Sequence, residues 1–331
     1  MDLPKVRVLS GIQPSGVKHL GNYFGAIGQH LALQEEYPGE CFYFIADYHA
    51  LTTLHDADEL RASVLELARV YLALGLDPDK ALLFRQSDVP EVHELSWLLA
   101  SVTGMGLLER AVSYKDKVER GLKPSVGLFT YPMLMAADIL IYQSTLVPVG
   151  KDQIQHIEMA QDMATHFNET YAPVLRRPEF RLSQTPYVVG LDGQKMSTSY
   201  GNTVPIFASG KKLRKILGGI VTDSTPLGQP LDPDRCTVFK LLSLFASPAE
   251  LEKIAGYYRA GKRDDQPFGY GHAKQLLADY MEKRFEAARA KRDELERTPE
   301  VVEQVLTRSA ARARAIAQQT LHDCKRACGL I

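Results

Sequence analysis

The sequence predicts an α/β fold, a parallel sheet covered by helices, followed by a region that is entirely helical. Short apolar runs at 6–9, 41–46, 81–84 and 146–149 alternate with helical patterns, as in parallel strands joined by crossover helices. After about Pro205 no further strand pattern follows. The 331 residues, 45% hydrophobic and 24% charged, suffice for one large domain or two smaller ones and exclude a disordered or fibrous chain.

Helices are predicted where apolar residues recur at every third or fourth position. In the segment 58–74 this spacing ends at Gly75, and the last helical segment begins at Pro299 and ends just before Gly329. The predicted helices of the α/β region are 20–37, 58–74, 128–142 and 152–166, with more than one helix in 91–120. Those of the second region are 211–217, 237–245, 248–258, 273–297 and 299–325.

The net charge differs in sign between these two regions. The whole chain carries −1, which by itself argues against a nucleic-acid partner. Residues 1–204 hold 17 Lys and Arg against 24 Asp and Glu, a net −7, whereas residues 205–331 hold 22 against 16, a net +6. A basic helical region attached to an acidic α/β region indicates a nucleic-acid partner, although a solvated helical surface explains the charge equally well.

Membrane, secretory and metal-binding classes are not expected. No apolar run reaches a membrane-spanning length, the first ten residues lack a signal-peptide core, and we therefore expect a cytoplasmic protein without a membrane partner. Two cysteines four residues apart have no second pair or histidine cluster, so no metal site is predicted and all four are expected to be reduced structural thiols: Cys41, Cys236, Cys324 and Cys328.

Two loops carry residues suited to phosphate. The first loop lies between strand one and the first helix, a position at which parallel sheets bind ligands. The spacing of its glycines approaches that of a P-loop, but Val17-Lys18 stands where a P-loop has Lys-Ser. His19 and Asn22 could donate to phosphate oxygens there, and an ordinary strand-to-helix turn is the equal alternative. The second loop, 195–199, follows an Asp-Gly turn and offers one lysine and three hydroxyls, which suits a polyphosphate.

These two loops together resemble the signature motifs of the class I aminoacyl-tRNA synthetases. Pro14-Ser15-Gly16 with His19-Leu20-Gly21-Asn22 resembles the HIGH motif, and Lys195-Met196-Ser197-Thr198-Ser199 resembles the KMSKS motif. The segments 130–140 and 147–156 extend the resemblance to the bacterial tryptophanyl-tRNA synthetases, over essentially the whole chain. The resemblance implies a Rossmann-like (HUP-type) catalytic domain and a tryptophan–tRNA ligase, which forms tryptophanyl-AMP and pyrophosphate from ATP and L-tryptophan and then charges tRNA(Trp).

The resemblance also implies the site residues. Catalytic roles fall to His19, Asn22, Lys195 and Lys117. ATP contacts fall to Gln13, Pro14, Ser15, Gly21, Asn22, Gly150, Lys151, Asp152, Lys195, Met196, Ser197, Thr198 and Ser199. Tryptophan contacts fall to Asp138, Tyr131, Met135, Gln153 and His49. Mg²⁺ is expected to arrive with ATP and to keep phosphate and water ligands, and neither zinc nor an iron–sulfur cluster is expected, because Cys236 lacks companions at 258–272.

Asp138 is the candidate for amino-acid specificity. Apolar residues surround it in the sequence, and a buried carboxylate needs a partner. The indole nitrogen only donates, so an ionised carboxylate is a fitting acceptor, and a site built around it would reject phenylalanine. Met135 could equally serve core packing, and Gln153 could hold the ammonium or carboxylate of the substrate.

The motifs depart from the family pattern at three places. Asn22 replaces the last histidine of HIGH, and Thr198 replaces the second lysine of KMSKS. One mobile positive charge is therefore missing, and Lys115 or Lys117 is expected to share the leaving-group work, a solvated helix face being the alternative. The stretch 188–194 is also short, so its adenine contacts stay open.

By analogy with the family, residues 1–204 form the catalytic domain, 205–297 bind the tRNA anticodon, and 298–331 form a last helix that packs back on the catalytic domain. An insertion at about 88–127 is expected to join two copies as a homodimer. The alternatives are a tyrosyl-tRNA synthetase, a paralogue with a binding role, and a small-molecule nucleotidyltransferase. The segment 135–140 favours tryptophan over tyrosine, and the net charge of +6 favours tRNA over a small molecule.

Overall fold

The computed structural model describes residues 6–111, 121, 125–182 and 187–331, and for Asp152 the backbone alone. These residues form two compact units. We call them the sheet unit (Met1–Ser15, Gln29–Gln184 and Leu295–Ile331) and the helical unit (Gly16–Gly28 and Thr185–Glu294). Among the described residues, no helix combines the length and the apolar character that crossing a membrane would require.

The sheet unit is built on five parallel strands in the order β3-β2-β1-β4-β5. The strands are β1 (Val8–Ile12), β2 (Cys41–Ile45), β3 (Ala81–Arg85), β4 (Leu146–Val149) and β5 (Glu179–Leu182). β1 pairs with β2 from Val8↔Cys41 to Ile12↔Ile45 and with β4 at Val8↔Leu146. The strand order reverses between β1 and β4, and ligands of open parallel sheets bind at the carboxyl ends of such a pair.

The α/β prediction is confirmed, since helices separate successive strands of the parallel sheet. The helices of the described residues, in chain order, are α1 (Leu20–Asn22), α2 (Gly28–Glu36), α3 (Asp47–Ala50), α4 (Ala57–Ala73), α5 (Glu91–Ala100), α6 (Met105–Glu109), α7 (Val126–Ile141), α8 (Ile154–Thr170), α9 (Gly210–Gly218), α10 (Thr237–Leu242), α11 (Pro248–Ala260), α12 (Tyr270–Arg297) and α13 (Pro299–Ala327). A π-turn, Tyr23–Ile27, joins α1 to α2.

The predicted helices correspond closely to observed ones. The segment 91–120 was predicted to contain more than one helix, and in its described part α5 ends at Ala100 and α6 begins at Met105. Ser101 and Thr103 cause this break, because their hydroxyls donate to backbone carbonyls of α5 at 2.7 Å and close its last turn. Residues 112–120, the rest of this prediction, lie outside the described residues.

The core of the sheet unit lies between the sheet and its covering helices. α7 packs between α5 and α8, and α13 packs on β3 and α5. Small residues of α13, among them Ala313 and Ala317, are fully buried in this core, so the helix lies close to the sheet. Ion pairs of Arg314 with Glu91 and of Arg85 with Glu303 fasten the outer side of this helix.

The helical unit contains the segment 16–28, the residues 187–294 and α9–α11 with most of α12. A short hairpin, β6 (Lys262–Arg263) and β7 (Gln266–Pro267), follows α11; the sequence pattern predicted no strand in this region. α11 begins with a capping box between Ser247 and Glu250 and ends at Gly261, whose φ of 62° suits glycine.

The unit borders differ from the borders at 204 and 297 that the sequence suggested. The segment 16–28 belongs to the helical unit because its backbone bonds lead there: the Leu20 N–H donates to the Val204 carbonyl, and the Ile206 N–H donates to the Lys18 carbonyl. The functional division, with 88–127 as a dimerising insertion, stays a prediction.

Candidate active site

The segments that follow β1 and β4 lie at the same edge of the sheet. β1 leads into Gln13-Pro14-Ser15, where the Ser15 N–H donates to the Gln13 carbonyl at 2.9 Å. β4 leads into Gly150 and a 3₁₀ turn, Lys151–Gln153, that opens α8. Since β1 and β4 are neighbours at the reversal of strand order, the expected ATP residues of the sheet unit share the crevice where nucleotides bind in such folds. The side chain of Asp152 lies outside the described part of the chain.

Asp138 is completely buried on α7 and accepts hydrogen bonds from two side chains. Gln86 Nε2 donates to Oδ1 at 2.9 Å and to Oδ2 at 2.7 Å. His49 Nε2 lies 3.0 Å from Oδ2, and because a carboxylate only accepts, this nitrogen carries the proton. Burial raises the pKa of Asp138, and the bonds from His49 and Gln86 oppose that rise.

Counting only donors from the described residues, the lone pairs of this carboxylate leave one acceptor position. A carboxylate offers about four positions, of which Gln86 and His49 use three. The remaining one is on Oδ1, the oxygen that His49 does not contact. A ligand N–H that reaches this oxygen can be accepted there.

The partners of Asp138 come from the carboxyl ends of two neighbouring strands. His49 lies on α3, directly after β2, and Gln86 begins the 3₁₀ turn that follows β3. Asp47 ties the two segments together, because its carboxylate accepts from the backbone N–H of Ser87 at 3.0 Å and from the hydroxyl of the same residue.

Gln86 was missed by the sequence reasoning. The only sequence signal for it is its place: a polar residue two positions after the strand pattern 81–84, beside the strand that leads to His49. Its amide makes the closest contact to Asp138, and its Oε1 accepts from the His49 backbone N–H at 3.4 Å.

The other predicted tryptophan residues lie around this group to different degrees. Tyr131, Met135 and Asp138 recur at the spacing of one helix face on α7. The Tyr131 ring meets the His49 ring edge-on at a centroid distance of 6.3 Å, and its hydroxyl lies 2.9 Å from His156 Nε2. Met135 is half-buried and packs against the core, so both of its proposed roles stay open.

Gln153 is half-buried at the N-terminus of α8, one turn before His156. His156 itself is buried and was not among the predicted site residues. Its bond to Tyr131 links α8 to the face of α7 that carries Asp138.

In the helical unit, the two motif segments contact each other directly. The Gly21 N–H donates to the thioether sulfur of Met196 at 3.4 Å. A Cβ at Gly21 would lie 2.9 Å from His19 Nδ1 and 3.5 Å from Met196 Cβ, so a larger residue there would displace the His19 ring. Asn22 holds the start of α1, because its Oδ1 accepts from the His19 backbone N–H at 3.0 Å.

Burial sets the charge of the residues that precede α1. Desolvation and the charge of Lys18 lower the pKa of His19 to about 4, so its imidazole is neutral at pH 7. A neutral imidazole can donate one hydrogen bond to a phosphate but brings no positive charge. Desolvation also lowers the pKa of Lys18 to about 8, and this largely buried lysine was not among the predicted site residues either.

The loop 195–199 is held by one buried side chain, Asn202. Its Oδ1 accepts from the Ser197 N–H at 2.8 Å, and its Nδ2 donates to Asp192 Oδ1 at 2.7 Å and to the Lys195 carbonyl at 3.0 Å. The stretch before the loop, whose role the sequence left open, forms a tight hairpin with a bridge between Val189 and Lys195.

The side chains of this loop that suit phosphate lie at its surface. Lys195, Thr198 and Ser199 are exposed, and Ser197 is half-buried. Within the part of the chain that the structure describes, the Lys195 ammonium forms no ion pair, so its charge is available to an anion. Lys115 and Lys117, expected to share the leaving-group work, lie outside the described residues.

Known proteins resemble the whole chain. Residues 1–302 match the family model described as tRNA synthetases class I (W and Y). The chain belongs to this family of class I tRNA synthetases. The resemblance that the two motifs predicted is thereby confirmed, as is the Rossmann-like catalytic fold with a helical C-terminal region.

Several relatives within the family match this chain over all or nearly all of their length. A tryptophan–tRNA ligase of Rhodopirellula baltica is 52% identical over 98% of this chain and 100% of its own, and one of Fusobacterium nucleatum is 48% identical over 98% of each. A tryptophanyl-tRNA synthetase of Campylobacter jejuni, whose crystal structure is described as complexed with ADP and tryptophan, is 46% identical, covers 98% and 100% of the two chains, and has a TM-score of 0.92.

Proposed function

We propose that this member of the class I tRNA synthetases is an ATP-dependent tryptophan–tRNA ligase. It activates L-tryptophan as tryptophanyl-AMP with release of pyrophosphate, and transfers the tryptophanyl group to the 3′ end of tRNA(Trp). The observation that carries the choice of amino acid is the buried Asp138 carboxylate with one open acceptor position. The full-length relatives named tryptophan–tRNA ligases support the same choice.

Asp138 recognises the indole nitrogen of the substrate through that position on Oδ1. Tyr131 and Met135 share its helix face and line the ring site, and His49, whose ring meets that of Tyr131 edge-on, borders it. Phenylalanine brings no N–H to this acceptor and would leave a buried carboxylate position unpaired, which is a strong basis for rejection. Gln153 holds the ammonium or carboxylate of tryptophan from the start of α8.

ATP is bound by the segments that the motifs define. Gln13, Pro14, Ser15, Gly21 and Asn22 serve the first contact region; Gly150, Lys151 and Asp152 hold chiefly the adenosine. Lys195, Met196, Ser197, Thr198 and Ser199 serve the triphosphate. The exposed ammonium and hydroxyls of this loop fit phosphate oxygens rather than a metal ion. Mg²⁺ would therefore enter with ATP, retain phosphate and water ligands, and neutralise phosphate charge.

The activation step needs positioning and charge stabilisation rather than a base. The carboxylate of tryptophan is already a nucleophile; it attacks the α-phosphorus, the bond to the bridging oxygen breaks, and pyrophosphate leaves with the electron pair. Lys195 stabilises charge on the leaving pyrophosphate, and Lys117 shares that work. His19 is neutral at pH 7 and donates a hydrogen bond, and Asn22 fixes the turn that presents it.

The chain acts on tRNA(Trp) and forms a dimer with a second copy of itself. The net charge of +6 in residues 205–331 supports the tRNA role of the helical region. Around the insertion at 88–127, three large apolar side chains are mostly exposed: Trp97 at 74%, Met105 at 62% and Val126 at 80%. An apolar surface of this kind on a two-fold dimer is self-complementary, which supports a homodimer. The place of action is the cytoplasm, where tRNA is charged.

The test is ATP–pyrophosphate exchange with each amino acid in turn. We expect exchange that depends on tryptophan and is at least a thousandfold weaker in kcat/KM with tyrosine or phenylalanine. Exchange with tyrosine equal to that with tryptophan would establish a tyrosyl enzyme instead. Absence of exchange with any amino acid would establish a paralogue with a binding role.

A further inference from the structure

Gln86 is the buried amide that touches Asp138 on both oxygens. It is 1% exposed and lies at the first position of the 3₁₀ turn Gln86–Asp88. The turn is fixed at both ends, because the Val89 N–H donates to the Gln86 carbonyl at 3.1 Å and Asp47 accepts from Ser87. The side chain therefore reaches Asp138 from a rigid base.

We infer that Gln86 is a positioning residue that orients the Asp138 carboxylate, keeps it an acceptor, and so makes the pocket select a ring that carries an N–H. The inference rests on the proposed function, in which Asp138 accepts the indole N–H.

The amide of Gln86 has only one orientation in this group. Its Oε1 accepts from the His49 backbone N–H, which directs Nε2 toward Asp138. A flipped amide would lose the bond to His49 and set its oxygen against the carboxylate oxygens, which repel it. The donor side of Gln86 is therefore fixed on Asp138.

This orientation decides which form of Asp138 is stable. Burial by itself favours the neutral acid, and three N–H contacts to its oxygens favour the carboxylate. A proton on Oδ2 would face the donors of both Gln86 and His49, and a proton on Oδ1 would occupy the position open to the indole. Gln86 contributes two of these three contacts and so carries most of the preference for an acceptor.

If Gln86 had only a structural role, it would serve as a buried side chain that holds α3 to the turn after β3. Gln143 offers a matched comparison within the sheet unit. It is also buried, at 5% exposed, and its amide bonds the Val174 carbonyl, the Thr320 hydroxyl and the Arg176 N–H. None of these partners belongs to the group around Asp138.

The experiment measures kcat/KM in ATP–pyrophosphate exchange for tryptophan and for β-(3-benzothienyl)alanine, in which sulfur replaces the ring N–H. The variants are Gln86→Met, which keeps the length and removes the amide; Gln143→Met as control; and Asp138→Asn. Thermal unfolding followed by circular dichroism verifies that each variant folds.

We expect Gln86→Met to raise KM for tryptophan about tenfold with kcat within about threefold, and to lower the preference for tryptophan over the analogue about tenfold. Gln143→Met should lower stability and leave that preference unchanged. If Gln86→Met does not fold, Gln86→Asn decides, since its shorter amide cannot reach both oxygens and is expected to lower the preference in the same way.

The outcomes separate this inference from the proposed function. A preference that falls in Asp138→Asn and stays unchanged in the folded Gln86 variants overturns the role of Gln86 and leaves the indole acceptor in place. A preference that is unchanged in Asp138→Asn as well overturns the acceptor itself. A preference that falls equally in Gln143→Met shows a general packing effect and also overturns the inference.

Discussion

Replacement of Asp138 by alanine is the most direct test of amino-acid recognition. The change removes the acceptor proposed for the indole and leaves the donors of Gln86 and His49 facing an empty space. It touches none of the segments after β1 and β4 that are proposed to bind ATP. The effect is therefore expected on tryptophan and not on ATP.

The magnitude follows from the chemistry of the lost bond. A hydrogen bond to a charged group contributes about 1.5–3 kcal/mol, and each 1.4 kcal/mol is a factor of ten, so KM for tryptophan should rise about 10- to 100-fold. The two stranded donors lower stability by about 1–3 kcal/mol each, and loss of a buried carboxylate whose pKa is raised by desolvation offsets part of this cost.

The assay is exchange at saturating ATP with varied tryptophan, and at saturating tryptophan with varied ATP. KM for ATP should stay within about twofold. Asp88→Asn is the control, because this carboxylate lies on the same turn as Gln86 and pairs with Arg85 instead of the pocket. Equal increases of both KM values in Asp138→Ala, or an unchanged KM for tryptophan, would refute the assignment of Asp138 as the indole acceptor.

Three further predictions concern other parts of the chain. Lys195→Ala should lower kcat about 100-fold or more with little change in the Kd for tryptophan, while Lys215→Ala on α9 leaves both unchanged; a collapse of tryptophan binding would contradict a role confined to the leaving group. Burial lowers the pKa of His30 to about 3 from 6.5 in the unfolded chain, so the unfolded state binds more protons between these values. Stability is then full above pH 6.5 and falls by up to about 1.4 kcal/mol per pH unit on acidification, and His30→Gln should flatten this slope in urea unfolding; an unchanged slope would exclude the role. Trp97→Glu should shift the chain from dimer to monomer in light scattering, whereas Leu330→Glu, at another exposed apolar residue, should not; a dimer that persists in Trp97→Glu would place the interface elsewhere.

The sequence predicted the sheet wherever a strand is buried on both faces. β2 and β3 are continuous apolar runs and were found within one residue of their observed bounds. β5 was missed because it is an edge strand with mostly exposed residues, so nothing in its composition separates it from a loop. The short hairpin after α11 was missed for the same reason, since two residues carry no periodicity.

The site could be predicted to the extent that its residues form short motifs. Residues in the two loops, 13–22 and 195–199, could be proposed from the sequence because glycine, lysine and hydroxyls at fixed spacing have a chemical reason to be there. Gln86 and Asn202 could not be found in this way. Each is a neutral amide whose partners are brought to it by folding: Gln86 is 52 residues from Asp138 in the chain, and Asn202 joins both arms of a hairpin that the sequence left undefined.

The topology of the sheet explains why the residues proposed to bind the amino acid and those proposed to bind the nucleotide lie near each other. Parallel strands place all their carboxyl ends at one edge. His49 follows β2 and Gln86 follows β3, while the proposed ATP segments of the sheet unit follow β1 and β4, so four consecutive neighbours in the sheet each supply one part. In-line attack on the α-phosphate requires reacting atoms about 3 Å apart. Neighbouring strands are about 4.8 Å apart, so residues at their ends can hold both substrates close together without any long loop. Asp138 is the exception, since it comes from a helix. Its two donors on the strand ends are what connect that helix to the reacting edge, and loss of either should weaken binding of the indole with little effect on the reaction of bound substrate.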